Sequence, residues 1–310
     1  MQRRIAAGLL CTLAATPLSA QQPLGDLAGR LAAMSAPVGF EAMMADSLAR
    51  MMRGAMRDRA GNVIVRLGSG SPKRLIACPM DEPGWAVGGI RSDGYLTLRR
   101  LPGRTPPMFD QQVEGQRVTV WGARGAVPAV VAVRSTHLTR GRTTEDTPFT
   151  SDNAFVDVGA RTEEEVRSLG IRVTSPVTAA KRPHRYGRSR LAAPVAGRRA
   201  ACAALLRASS QGPRGTVLIA FVVEQGLGMR GLFTAVNALG PFDDVVMLEG
   251  DTGAEPVGMR RDTVTAGGAR LVLDRWRLRT RFGGTPVETV DLGDAEELER
   301  RLAAWIGGGR

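Results

Sequence analysis

Histidine and lysine are nearly missing from this 310-residue chain: there are two of each, His137, His184, Lys73 and Lys181. Two imidazoles cannot build a histidine-rich metal centre. A Ser/His/Asp triad is equally unsupported, because no Gly-x-Ser-x-Gly elbow is present. Cysteine is scarce too. Cys11 lies in the N-terminal segment, and Cys78 and Cys202 leave open one disulfide or two buried thiols, but no disulfide framework. No apolar run beyond the N-terminus is long enough to cross a bilayer, so no integral membrane segment is expected. Gly226-x-Gly228 lacks the rest of any phosphate-binding fingerprint. Acid is in deficit, with 30 acidic against 42 basic residues and a net charge of +12. Nearly all the base is arginine, spread along the chain with clusters at Arg182–Arg190 and Arg275–Arg281. No nucleic-acid-binding motif accompanies it, which sets that partner aside. Attraction to anionic envelope polymers stays open, since net charge bears on non-specific association.

Residues 1–20 read as a secretory signal: Arg3 and Arg4 precede the short apolar run Ile5–Ala15, with a cleavage region ending near Ala20. The mature chain is then expected in the periplasm or outside the cell. Helical texture covers Leu24–Met52, broken at Ser35–Gly39. Val63–Leu67 and Leu75–Cys78 read as strands after turns. From Trp85 to about Val177, short alternating runs separated by Gly and Pro turns predict a small β-barrel or sandwich, with one helix at Thr162–Leu169 capped by Thr162. Residues 178–190 read as an Arg-rich connecting loop. Helices at Arg199–Ser209, Gly231–Leu239 and Asp294–Ile306 then alternate with strands at Thr216–Val223, Val245–Leu248 and Leu271–Leu278. Asp294 and Glu297 read as a capping box for the last helix. The expected fold is α/β, with a mixed central sheet between helical layers. Residues 21–84 and 191–310 form that domain, and residues 85–190 form an inserted β-barrel with its connecting loop.

Several short motifs carry a resemblance. Ser35-Ala36-Pro37-Val38-Gly39-Phe40-Glu41, Asp58–Asn62, Met80-Asp81-Glu82-Pro83-Gly84, Gly115–Val118, Phe155–Ala160, Gly228-Met229-Arg230-Gly231 and Arg281-Phe282 with Thr285-Pro286-Val287-Glu288 follow one another in order. Together they resemble the tetrahedral (deblocking, or glutamyl) aminopeptidases, exopeptidases that use two divalent metals such as zinc or cobalt. In that chemistry the metals polarise the substrate carbonyl and activate a bridging water, and a separate Glu serves as general base.

The same resemblance places the metal ligands on residues that cannot serve. The first His falls on Pro79, the bridging Asp on Gly197 or Arg198, and the last His on Gly284. The Glu-Glu pair falls on Gln225-Gly226, or on Glu224-Gln225 if the preceding strand is the anchor. Glu249 alone keeps a carboxylate, and Glu224 is the candidate base. Asp81, which would orient the missing His, and Glu82 read as turn residues. A Cys78/Cys202/Glu249 site is short of ligands. His137 matches a Pro-His-Leu of the family's barrel and His184 reads as solvated.

These losses imply no intact catalytic set and no bound metal. The leading expectation is a secreted pseudoenzyme that binds a protein or peptide partner and is able to form a homo-oligomer. One alternative is an active metallo-aminopeptidase rebuilt around Glu224, Glu249 and Asp81. Another is a cationic module for anionic envelope material.

Overall fold

The computed structural model describes residues 22–103, 105–132, 148–253 and 255–309. The proposed signal segment and His137 lie outside the described residues. Helices α1 (Leu24–Ala32) and α2 (Ala42–Met51) open the chain. Leu24, Leu27 and Leu31 in α1, and Met44 and Leu48 in α2, form buried stripes at helical spacing. Between them, Pro37 and Gly39 (φ +83°) stop the helix and turn the chain.

The strands β1 (Met56–Arg57), β2 (Val63–Gly68) and β3 (Lys73–Pro79) lead into a closed barrel. The barrel comprises β4 (Trp85–Ile90), β5 (Leu96–Arg100), β6 (Arg117–Gly122), β7 (Gly125–Ala132), β8 (Phe155–Asp157) and β9 (Pro176–Ala179), in the closed order β4-β5-β8-β7-β6-β9. Its own core includes Trp85, Leu96, Leu98, Val118, Val120 and Val156. Helix α3 (Glu163–Ser168) packs Val166 into that core, and the Thr162 hydroxyl accepts the Glu165 N–H as a cap.

The chain returns through β10 (His184–Tyr186) and β11 (Arg190–Ala192) to α4 (Ala196–Ala208). Then come β12 (Thr216–Val222), α5 (Arg230–Leu239), β13 (Asp244–Asp251), β14 (Val257–Ala266), β15 (Ala269–Arg281), β16 (Thr289–Asp291) and α6 (Leu292–Ile306). The main sheet runs β1-β2-β12-β3-β13-β15-β16-β11-β10, with β14 paired to β15. β12, β3, β13 and β15 are parallel neighbours. The uninterrupted apolar run of β12 is buried throughout, as a central parallel strand requires. Helices α1, α2, α4 and α6 cover one face, and α5 covers the other together with Val264, Leu271 and Leu273 of the β14–β15 hairpin.

Three expectations need correcting. Residues 178–190 are not a loop: β9 extends to Ala179, and β10 pairs β11 to extend the main sheet. His184 lies in β10, exposed and stacked on Tyr186. The last helix starts one turn early, at Leu292, and its cap is Asp291, whose carboxylate accepts the Gly293 N–H; Glu297 pairs with Arg300 and Arg301 instead. Strand β14 was not foreseen, because Arg260-Arg261-Asp262 interrupts its apolar pattern.

Two buried polar devices fix the loops around the sheet's C-terminal edge. Asn62 accepts the Val223 N–H and donates to the Gly231 carbonyl and to Asp58, which ties the Asp58–Asn62 turn to the end of β12. The second device joins the barrel to the α/β domain. Glu82, just after β3, takes the Ala36 N–H on one oxygen, and Lys181, just after β9, and Arg199 of α4 on the other. All three side chains are buried. Burial pushes the Glu82 carboxyl up, but the Lys181 and Arg199 charges outweigh it and hold it below the usual carboxylate range. Its stabilisation is therefore present at neutral pH and is lost only as pH falls through that lowered value. Glu82→Gln leaves two buried cations without a counter-charge and is expected to cost about 3–5 kcal/mol. Urea unfolding measures this; a loss below about 1 kcal/mol contradicts the assignment.

Candidate functional site

The residues singled out in the sequence converge on the C-terminal edge of the parallel strands, where α/β sheets bind ligands. Pro79 ends β3, and Asp81 and Glu82 follow it. Gly197 is the second residue of α4. Glu224, Gln225 and Gly226 form the loop after β12. Glu249 lies near the end of β13, and Gly284 lies in the turn between β15 and β16. A cavity of about 650 Å³ opens here, lined by Asp81, Glu82, Gln225, Gly226 and Glu249, and also by Arg198, Asp251, Arg260, Asp262, Arg275 and Arg277. Pro79, Gly197, Glu224 and Gly284 do not line it.

The glycine positions are closed rather than vacant. A Cβ on Gly197 would collide with Thr280 Cγ2 and lie 3.0 Å from the Gly250 Cα, so the start of α4 rests directly on the end of β13. Gly284 has φ +73°, and a Cβ there would lie 2.6 Å from Pro106 Cγ of the barrel. At Gly226 a Cβ would press on Val38 Cγ2 at 3.2 Å and stand 3.4 Å from the Asp81 carboxylate. Pro79 has no side-chain donor atom. One residue before it, Cys78 is disulfide-bonded to Cys202 of α4, with Cα atoms 5.7 Å apart. The bond decides between the two alternatives left by the sequence, and it removes both thiolates as metal ligands.

The remaining carboxylates are held by other groups. Asp81 accepts Arg198 Nη1 at 2.9 Å and the Gly226 N–H at 2.7 Å. Glu249 is ion-paired with Arg275, which also reaches Asp262 at 2.6 Å. Asp251 takes Arg277 at 2.5 Å. Glu224 turns to Arg230 at 3.2 Å, and its own N–H is accepted by the buried Glu41. Glu288, which the ligand assignment passed over, bridges two of the altered positions: its oxygens accept the Gly197 N–H at 2.9 Å and the Gly284 N–H at 3.0 Å. Burial pushes the Glu288 carboxyl above the usual range against those two bonds. Burial likewise pushes Glu41 up, against N–H bonds from Glu224 and Gly39.

Backbone strain gathers at the same place. Among the described residues, Val195, Glu224, Met229 and Phe282 have φ between +50° and +59°, and all four lie on the loops that carry positions 197, 225–226 and 284. Side chains are disfavoured in that conformation, most of all a β-branched one such as Val195. Among the described residues, no group of three or more His, Cys, Asp or Glu side chains could hold a metal ion. Two co-catalytic metals need several His or carboxylate donors each, and the donors at this edge do not fit that requirement. Sequence reading missed Arg260, Arg275 and Arg277. For Arg275 and Arg277 the signal was the period-two run Arg275, Arg277, Arg279, Arg281, which sets guanidiniums on one face of a strand; Arg260, on another strand, had none.

A three-layer α/β domain with a barrel inserted after β3, and a cleft at the C-terminal edge of its sheet, is the architecture of an aminopeptidase-like exopeptidase. The profile of the M42 glutamyl aminopeptidases matches residues 61–269, and the chain belongs to that family. It is similar to the lysyl aminopeptidase of Pyrococcus furiosus (27% identical over 212 residues, 68% of this chain and 60% of the relative). It is also similar to the glutamyl aminopeptidase of Lactococcus lactis (32% over 157 residues, 48% of this chain and 43% of the relative). These matched stretches therefore span less than two thirds of the relatives' lengths. Among solved structures, the TET1 peptidase of Pyrococcus horikoshii superposes with a TM-score of 0.81 at 19% identity, covering 92% of this chain and all of that one. Aminopeptidase APDkam598 of Desulfurococcus kamchatkensis gives 0.77 at 21% identity, covering 92% and 95%. At those identities the likeness is one of fold.

Two outcomes follow. Gly197→Asp is expected to destabilise the protein by roughly 3 kcal/mol, through overpacking against Thr280 and an added buried carboxylate. Added zinc should not restore the loss; a melting temperature that is unchanged, or raised by zinc, contradicts the closure. Because the folded-state value of Glu288 is raised, its contribution to stability is full below about pH 4.5 and is lost as pH rises through that value. Urea midpoints from pH 4.5 to 7.5 should therefore decline less steeply in Glu288→Gln than in the parent. An identical slope contradicts this.

Proposed function

We propose that this chain is a non-catalytic member of its family, a pseudoenzyme that uses the ancestral cleft to bind a protein or peptide partner rather than to cleave it. The observation that carries this reading is the state of the ligand positions taken together. Pro79, Gly197, Gly226 and Gly284 offer no side-chain donor, and neighbouring atoms crowd the space a ligand side chain would need at the three glycines. Glu249, the one position that keeps a carboxylate, is committed to Arg275. Glu224, the candidate base, faces Arg230 and not the cavity.

The proposed site of action is the periplasm or the outside of the cell. Residues 1–20 have the pattern of an export signal. The Cys78–Cys202 disulfide suits an oxidising compartment. No described helix is long and apolar enough to cross a membrane. Self-association belongs to the proposal as well: one similar solved structure is a dodecamer, and the TET1 peptidase of Pyrococcus horikoshii can assemble into a tetrahedron or a large octahedral shell.

Metal analysis of the purified mature protein, run beside a panel of aminoacyl and peptide substrates, tests the reading. The expected result is less than a tenth of an equivalent of zinc, cobalt or manganese after dialysis, with no hydrolysis. Near-stoichiometric metal that survives dialysis, or cleavage that vanishes in Glu224→Gln, would overturn it in favour of a rebuilt enzyme.

A further inference from the structure

One wall of the 650 Å³ cavity is lined by guanidiniums. Arg260 and Arg275 are direct cross-strand partners in the β14–β15 hairpin, and Gly258 and Arg277 form the next pair but one along the same face. All three arginines line the 650 Å³ cavity, as does Arg198. Two like charges placed directly opposite each other on a sheet repel. Arg275 is offset by Glu249 and Asp262. Among the described residues the Arg260 side chain makes no hydrogen bond or close ion pair, although its charge is felt at Asp262, and it is exposed to the cavity's solvent. The Arg277 Nε is buried without an acceptor.

The carboxylates of the cleft, Glu249 with Arg275 among them, are already engaged. Glu82 is neutralised behind the wall by Lys181 and Arg199. Asp81 takes N–H donors on both oxygens. Asp251 takes Arg277 and the Thr252 N–H, and Asp262 takes Arg275 and the Thr263 N–H. A guanidinium carries five N–H donors in a planar fork, so the arginines hold more donors than these acceptors use. Three arginines at this wall stand among three carboxylates, Glu249, Asp251 and Asp262, and what is unfilled is N–H donor capacity on the Arg260 side chain and at Arg277 Nε. Gly258 leaves the ground beside Arg277 free of side chain; a Cβ there would still stand 3.8 Å from the nearest Arg277 nitrogen.

Resting on the non-catalytic reading above, we propose that the cleft binds a small ligand through an oxyanion, a carboxylate or a phosphate, held between Arg260 and Arg275 with Arg277 beside them. Planar forks of this kind match both groups bidentately. The cavity volume suits a ligand of a few residues or of metabolite size. Binding supplies the Arg260 guanidinium and the Arg277 Nε with the acceptors they lack.

Calorimetric titration of the full mature protein in chelator-treated buffer tests this with three probes: inorganic phosphate, the peptide acetyl-Ala-Ala-Glu, and the same peptide with both carboxyls amidated. The proposal expects saturable binding of the peptide acid or of phosphate, no binding of the diamide, and affinity at least tenfold weaker in Arg260→Gln. Phosphate binding alone assigns the oxyanion to a phosphate ligand, and peptide-acid binding alone assigns it to a carboxylate. Arg260 is exposed, so its variant is expected to keep the parent melting temperature. As a second variant, Arg230→Gln, a cation outside the cavity, should bind as the parent does. No saturable binding of either anion at millimolar concentration overturns the proposal, as does equal affinity in Arg260→Gln or binding of the diamide. A parallel incubation with unblocked Ala-Ala-Glu, followed by mass spectrometry, separates the two readings: intact tripeptide with no binding of the probes fails only this inference, whereas cleaved tripeptide fails the non-catalytic reading.

Discussion

The start of helix α4 lies against the end of strand β13, with Gly197 over Gly250 and Thr280 beside them. That approach is possible only because neither residue has a Cβ. It sets how the layer of α4 meets the sheet, and the rest of the cleft follows from it. Glu288 can span from the Gly197 N–H to the Gly284 N–H because those two backbones are near each other. The disulfide from Cys78 to Cys202 ties the same helix to β3 one turn further along. Arg198 and Arg199, which follow Gly197, reach back to Asp81 and Glu82 beyond β3. In a two-metal site, ions would pull these strand ends and the helix together. In this chain backbone contact, one covalent bond and arginine–carboxylate pairs hold the strand ends and the helix together.

The arrangement also shows how the loops can hold strain. Val195, Glu224, Met229 and Phe282 keep left-handed backbone conformations, each costing of the order of 1–3 kcal/mol. Such strain persists when surroundings over-determine it. Two buried carboxylates, Glu41 and Glu288, hold the strained loops by accepting their N–H groups. The fold of an M42 peptidase and the geometry of its loops are thus carried by residues that are not metal ligands.

Much of the fold was legible because its signals are local. The continuous apolar runs of β3 and β12 gave the parallel core, and the alternating short strands gave the barrel. Thr162 gave a helix cap. The loops that line the candidate site were legible in part, since Pro79 and Gly284 lie beside or between the Met80–Gly84 and Arg281–Glu288 motifs. What could not be read was the pairing of distant groups. Cys78 and Cys202 are 124 residues apart, and their scarcity alone left a disulfide and free thiols both open. Lys181 looked like one more cation in a basic loop, yet it is buried against Glu82. Arg260 and Arg261 hid β14 by breaking its apolar alternation, and with it the arginine wall of the cleft. Charges that a fold brings together from different strands carry no sequence spacing by which to find them.

The central claim is that the ancestral metal site has closed onto itself and does not open for metal. Anomalous diffraction from crystals of the mature protein grown in millimolar zinc measures this directly. The account predicts Gly197 packed on Gly250, the Glu288 carboxylate bridging Gly197 and Gly284, and no anomalous peak among residues 79, 197, 226, 249 and 284. A zinc peak there, with α4 drawn away from β13 to make room for it, would contradict the account.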